Sequence, residues 1–306
     1  MKAAIAIAMV LLLAGCQYSP FQRKDAMTLP EVKVGTQGIE LFLSPGSPPP
    51  EVYEESKFTM LVTLSNLGAS DVENGVFSVS YEPQHVYLPL QQQQGRFSVR
   101  GKSEFMPQGM EKQVGLSFTA KPLGAQLQGY TTTITFNACY PYQTNAPIIV
   151  CIDTDLTGKK PGKVCQAKPI SSPQGQGAPV AVTLTEPRMQ PSEFQDKIIP
   201  EFVLTIKNLG KGSVIAPNQF PEACSGRPLG AGGWNVVAVS AALADMPLSC
   251  TPSTITLKET GDTKVVCKLE EGVDARLGTY TSPLSVTIDY GYMTSISSQV
   301  KITKIR

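Results

Sequence analysis

Charge is scarce in this chain. Asp, Glu, Lys and Arg make up 17% of its 306 residues, against about a quarter in ordinary soluble domains. There is one histidine, His85, and one tryptophan, Trp234. A Ser/His/Asp or Cys/His catalytic site would have to use His85, and no G-x-S-x-G elbow accompanies it. A single tryptophan leaves little for an aromatic cage. No Lys/Arg cluster is longer than a pair; nucleic-acid binders carry a basic patch or stripe, so nucleic acid is excluded as a partner. Long apolar runs are also missing. Ala3–Leu13 has 11 residues, Val236–Leu243 is shorter still, and a helix needs about 20 to cross a bilayer. None of the seven asparagines lies in an N-x-S/T sequon.

What is present begins with an address. Lys2, the short apolar run and the small residues Ala14-Gly15 before Cys16 form a secretory signal. The segment resembles a lipoprotein leader with its lipobox, which implies cleavage before Cys16 and a lipid thioether on it. Two acyl chains anchor a protein stably where one is marginal. Residues 1–15 are read as signal peptide and 16–35 as a polar tether. Losing Lys2 leaves 25 basic and 25 acidic side chains, so net charge steers no partner. The expected location is extracytoplasmic, on the cell surface, held to the membrane through Cys16 with no transmembrane helix.

The rest of the chain is duplicated. Phe58–Val72 (FTMLVTLSNLGASDV) matches Phe202–Val214 (FVLTIKNLGKGSV), both running into Asn-Leu-Gly. Tyr130–Thr144 matches Tyr280–Thr294, each carrying Y-x-Y-x-T at the same offset. The lead-in Thr36–Leu41 is set against Gly175–Val180. Three matches in one order mean a repeated unit. The strands alternate with period two. Phe58, Met60, Val62 and Leu64 share a face, as do Phe202, Leu204 and Ile206. Ile134, Phe136 and Ala138 form another, with Val286, Ile288 and Tyr290 as its counterpart. About seven short strands per unit, with Pro, Gly and Asn clusters between them, predict an all-β chain of two tandem immunoglobulin-like β-sandwiches. The first spans 36–168, a linker 169–177, and the second 178–306.

A strand ending in N-x-G, a small polar turn and a further strand resemble the CARDB-type module, a cell-adhesion-related Ig-like domain of bacterial and archaeal surface proteins. The lipobox, the paired units, Y-x-Y-x-T and the QGAPV lead-in are similar to surface lipoproteins of small-genome archaea. The resemblance implies display outside the cell and protein interaction, and it brings no catalytic residues.

Six cysteines follow Cys16: Cys139, Cys151, Cys165, Cys224, Cys250 and Cys267. Outside the cell an even number implies disulfides. With no C-x-x-C, a zinc ribbon is not expected. If Y-x-Y-x-T opens a hairpin centred near Asn145, Cys139 and Cys151 face each other on its outer side. Cys267 shares a face with Val265 and Leu269, which suggests a core bond to Cys250. Cys165–Cys224 then joins the units, and Cys151–Cys165 competes with it.

Tyr140, Tyr142, Tyr290 and Tyr292 close the end of a core, or else present themselves to a partner, since Tyr is enriched at interfaces. Asp153, Asp155 and Gly158 fit positions 1, 3 and 6 of a calcium loop, but Val164 at position 12 cannot supply the bidentate carboxylate. The segment is read as a polar turn, and no metal or cofactor is expected. Glu54-Glu55 and Glu270-Glu271 are adjacent acidic pairs that point to opposite faces of a strand. Residues 83–110 form a long, Gln-rich candidate binding loop. The functional expectation is a non-enzymatic surface lipoprotein that binds protein or glycan. The alternatives are a structural subunit or spacer of an envelope complex, and a carboxylate-based hydrolase.

Overall fold

Period-two alternation becomes strands wherever it was read. In the computed structural model, which describes residues 32–193 and 196–305, β1 (Ile39–Leu43) pairs with β3 (Lys57–Asn66), and β3 with β7 (Glu111–Ala120). A short β5 (Val86–Tyr87) completes this four-stranded sheet. Phe58, Met60, Val62 and Leu64 of β3 are buried. The leader, Cys16 and residues 17–31 lie outside the described residues.

A second sheet carries both repeats. Its order is β6 (Gln94–Val99), β4 (Val72–Ser80), β8 (Gly129–Asp153), β18 (Thr279–Thr303) and β13 (Val236–Leu243). β14 (Met246–Thr251) pairs with β13 and with β16 (Thr263–Lys268), and so leads into a further set of strands. There β16, β11 (Lys197–Asn208), β10 (Val180–Pro191) and β9 (Ile170–Ser171) lie side by side. β1, β3 and β7 of the first repeat therefore correspond to β10, β11 and β16 of the second. The chain is all-β, with its antiparallel sheets packed as a sandwich around one apolar core.

β8 and β18 hold the halves together. Each has 25 residues, where strands usually have about 5–6. They pair antiparallel without a register break, from Thr279 opposite Asp153 to Thr303 opposite Gly129. Even-numbered residues from Ile134 to Ile152 and from Leu284 to Tyr292 are all buried, on one face. The other face carries Thr135, Asn137, Asn145, Ser285, Ser295 and Ser297.

This pairing corrects two sequence expectations. There is no hairpin near Asn145, which instead stands opposite Thr287 in the ladder. Cys139 and Cys151 therefore lie far apart on a single strand, about 40 Å at 3.3 Å per residue, and cannot bond. The bonds are Cys139–Cys224, Cys151–Cys165 and Cys250–Cys267. A bond between repeats exists, but it uses Cys139 instead of Cys165. Cys139 is odd-numbered and faces outward. The short α2 (Phe220–Cys224) of the second repeat crosses that outer face and brings Cys224 onto it. The tyrosines sit inside the core, the first of their two readings. Residues 169–177, read as a linker, include β9, which pairs with β10.

The segment 83–110 is partly ordered by β5, the single-turn α1 (Leu90–Gln93) and β6. Gln93 donates to the Tyr81 hydroxyl, and Gln92 accepts from the Ser117 amide.

Candidate functional site

The two Asn-Leu-Gly segments build the most elaborate polar assembly in the molecule. Asn66 Oδ1 accepts the Gly68 amide at 3.2 Å and the Tyr142 hydroxyl at 3.3 Å. Its Nδ2 donates to the Ser70 and Val99 carbonyls. The second repeat copies this arrangement. Asn208 Oδ1 accepts the Gly210 amide at 3.1 Å and the Tyr292 hydroxyl at 3.3 Å, and Nδ2 donates to the Gly212 carbonyl. The glycines are required by close approach, because a Cβ on Gly68 or Gly210 would overlap the Tyr142 or Tyr292 hydroxyl.

The other two tyrosines bond the first residue of a neighbouring strand. Tyr140 Oη accepts the Ile39 amide at 2.9 Å, and Tyr290 Oη accepts the Val180 amide at 3.4 Å. Ile39 and Val180 stand opposite Asn66 and Asn208. The structural equivalent of Ile39 is therefore Val180, where the lead-in comparison had placed Ala178. In the ladder Tyr140 faces Tyr292, Tyr142 faces Tyr290, and Pro141 faces Gly291. A pseudo-twofold axis thus passes by Pro141 and Gly291, with four tyrosines around it. Their rings meet edge-on or tilted, with centroids 5.6–6.2 Å apart.

This cluster is structural chemistry. Burial raises the Tyr140 and Tyr290 phenols well above their ordinary range and pushes Tyr292 up to about 12, so all three stay neutral near pH 7. None of the four is more than 4% exposed, so the core-closing reading holds and the alternative, presentation to a partner, is corrected. The sequence signal for their true role was present: each N-L-G has its Y-x-Y downstream in the same repeat.

The Asp153–Gly158 segment is already filled. Lys163 donates to Asp153 Oδ2 at 2.6 Å and stands 3.4 Å from Asp155 Oδ2. Asp155 also accepts the Lys160 amide and the Thr157 hydroxyl, each at 2.8 Å. These bonds, with the ammonium beside them, pull its carboxyl down to about 2. The place a cation would take holds the chain's own ammonium group. Among the described residues no group of three or more His, Cys, Asp or Glu is disposed to hold a metal.

The other polar candidates also serve the fold. His85 stacks on Tyr130 with centroids 3.6 Å apart, and all six cysteines after Cys16 are bonded. Glu54 accepts the Leu123 and Ile305 amides, and Glu270 pairs with Lys268.

Two clefts remain. One, of about 310 Å³, lies beside the Cys139–Cys224 bond, with Arg96 from the first repeat and Arg227 from the second on its walls. The larger, of about 600 Å³, runs between Ile39–Leu41 of β1 and Tyr292–Ile296 of β18, with Lys211 among its lining residues.

No protein-family model matches the chain, and no curated protein sequence does. Among solved structures, a serine-rich repeat adhesion glycoprotein from Streptococcus agalactiae aligns with 92% of this chain and 100% of its own, at 9% identity and a TM-score of 0.18. Overlap that low does not establish a common fold. Three disulfides fit an oxidising, extracytoplasmic compartment. Among the described residues no helix is long and apolar enough to cross a membrane.

Proposed function

We propose that this chain is a non-enzymatic lipoprotein, anchored at the outside of a membrane through lipid on Cys16, whose duplicated Ig-like head binds a protein or glycan. The observation that carries the reading is the joining of the repeats. An unbroken ladder of 25 residue pairs and the Cys139–Cys224 bond make one body of them. Domains joined only by a linker move independently by default. A head joined this way holds its loops and edges in fixed relation, which suits display at a surface. The polar groups that could do chemistry are engaged in holding that head together, as the tyrosines, Asp153, Asp155 and Glu54 illustrate.

A second reading is a permanent subunit or spacer of an envelope complex, and the long uncharged edge of β18 favours it. One experiment separates the two. Native lipoprotein is crosslinked on intact cells and its captures are identified by mass spectrometry, with a Cys16→Ser chain as the anchoring control. Wild type in the membrane fraction and Cys16→Ser in the soluble fraction are expected. A single partner at fixed stoichiometry supports the subunit. No cellular partner, followed by binding in a screen of glycans and host surfaces, supports the adhesin. Wild type that stays soluble overturns the anchoring.

A further inference from the structure

β18 has a vacancy along one edge. On the side away from β8, β13 pairs with Ala238 opposite Asp289 through Leu243 opposite Leu284, and β12 (Ser213–Ile215) pairs with residues 291–293. β2 (Glu51–Tyr53) pairs with residues 301–303. Between them, among the described residues, no strand pairs with 294–300. That is a slot seven residues long, about 23 Å.

The direction of the backbone groups there follows from neighbouring bonds. Lys301 N donates to Pro50 O, and Thr303 O accepts from Glu54 N. Odd-numbered residues of β18 therefore turn their N–H and C=O toward this side. The ladder with β8 has no bulge to change the parity, so Ser295, Ser297 and Gln299 present their amides and carbonyls to the slot. Natural proteins blunt such edges with charge, Pro or a bulge. Residues 294–300 read TSISSQV and contain none of these.

The duplication supplies an internal control. Thr294, Ile296 and Ser298 point toward the core but are only half-buried. Their counterparts Thr144, Ala146 and Ile148 are buried. The difference lies in the cover. Over β8 lies the 12-residue β10, whose Ala181 and Val182 are fully buried. Over β18 lies the five-residue β1, with Leu41 half-buried and Phe42 47% exposed. The 600 Å³ groove opens beside that shorter strand, at the 294–296 end of the slot, with Pro179 and the Leu209–Ser213 turn on its other wall.

We infer that this open edge, with the groove at its 294–296 end, takes an extended peptide from a protein partner, added as a strand along Ser295–Gln299 with its alternate apolar side chains directed at Ile296 and Leu41. Strand addition draws affinity from main-chain bonds and specificity from alternate side chains. β1 walls the groove and Pro50 bounds the foot of the slot at Lys301, so a single extended chain enters where the edge of a second folded copy would meet β1. The inference rests on the binding role proposed above and names the partner as a polypeptide.

The test uses the full mature chain and a phage-displayed library of random linear peptides. Selected peptides are expected to carry apolar residues at alternate positions. Their binding should slow amide exchange at Ser295, Ser297 and Gln299 by about tenfold or more, and leave Ile296 and Ser298 unchanged. Ser297→Pro removes a donor that β8 does not use, and Ser298→Arg sets a bulky charge on the half-buried, core-facing side of the slot while keeping every donor. Each should weaken binding about tenfold or more, the effect of losing one or two main-chain bonds, with both variants checked by thermal melting. Selection of no peptide, equal selection by Ser298→Arg, protection elsewhere, or concentration-dependent dimerisation through 294–300 would each overturn the inference. Peptides that bind here while neither crosslinking on intact cells nor the screen of glycans and host surfaces yields a partner would leave the site standing and refute the display reading instead.

Discussion

Tyr142 and Tyr290 stand directly opposite each other in the β8–β18 ladder, one from each repeat, with ring centroids 6.1 Å apart. The pair is half of a symmetric set, since Tyr140 and Tyr292 repeat it across Pro141 and Gly291. Each hydroxyl accepts a main-chain amide, so removing one leaves an orphan donor in a buried or half-buried site. Tyr292→Phe orphans the Gly212 amide, held at 2.8 Å, and Tyr140→Phe orphans that of Ile39. A loss of about 1–3 kcal/mol is expected for each, read from urea unfolding midpoints. A variant as stable as wild type would show that water replaces the phenol.

The duplicated asparagines allow a comparison with the motif held constant. Asn66 is fully buried and makes four hydrogen bonds, whereas Asn208 is exposed and makes three. Asn66→Ala should cost about 2–3 kcal/mol, and Asn208→Ala about 1 kcal/mol, because water reaches the groups freed at the second site. Equal losses would mean that burial does not set the cost.

How far the sequence could be read depended on the physical range of each signal. Period-two faces such as Phe58, Met60, Val62 and Leu64 were legible because burial on one face acts locally. The repeat was legible because two copies of one motif need no knowledge of contacts. The ladder joining the repeats was not. The segment Pro141–Pro147 (PYQTNAP) carries the marks of a turn, yet it runs straight. The reason is parity: odd residues of both long strands direct their N–H away from the partner. Pro141, Pro147 and Pro283 are all odd, so each lacks a donor that the β8–β18 pairing never uses. Cys139 was correctly placed on the outer face, but only the path of α2 shows what meets it there. The tyrosine site was half legible. Its residues were found, and their direction needed the third dimension.

The disulfide map is open to direct test. Non-reducing peptide mapping should recover Cys139 with Cys224, Cys151 with Cys165, and Cys250 with Cys267. The first closes a loop of 85 residues and the second one of 14, so the chain-entropy model orders their contributions. Replacing Cys139 and Cys224 together by Ala should cost more than replacing Cys151 and Cys165, within about 2–5 kcal/mol for either. The β8–β18 ladder remains in both cases, so each variant should still unfold in one transition. Two separated transitions would mean that the bond, and not the ladder, unites the repeats.

The Asp155–Lys163 contact predicts where acid and base act on the loop between Cys151 and Cys165. The Lys160 amide and the Thr157 hydroxyl, with Lys163 beside them, hold the folded Asp155 carboxyl at about 2, below its ordinary 3.8. A depressed carboxyl contributes stability above its unfolded value, and that contribution is lost as pH falls through the folded one. The difference in melting temperature between wild type and Asp155→Asn should therefore be full above pH 4 and close as pH falls toward about 2. Lys163 acts in the opposite sense. Its bond to Asp153 raises the ammonium above 10.5, so its contribution is present below that value and lost as pH rises past the folded one. Because the ammonium already occupies the space between Asp153 and Asp155, calcium should leave the melting temperature of wild type unchanged. A calcium-dependent rise in wild type that disappears in Asp155→Asn would show that the ion displaces Lys163, and would restore the calcium-loop reading.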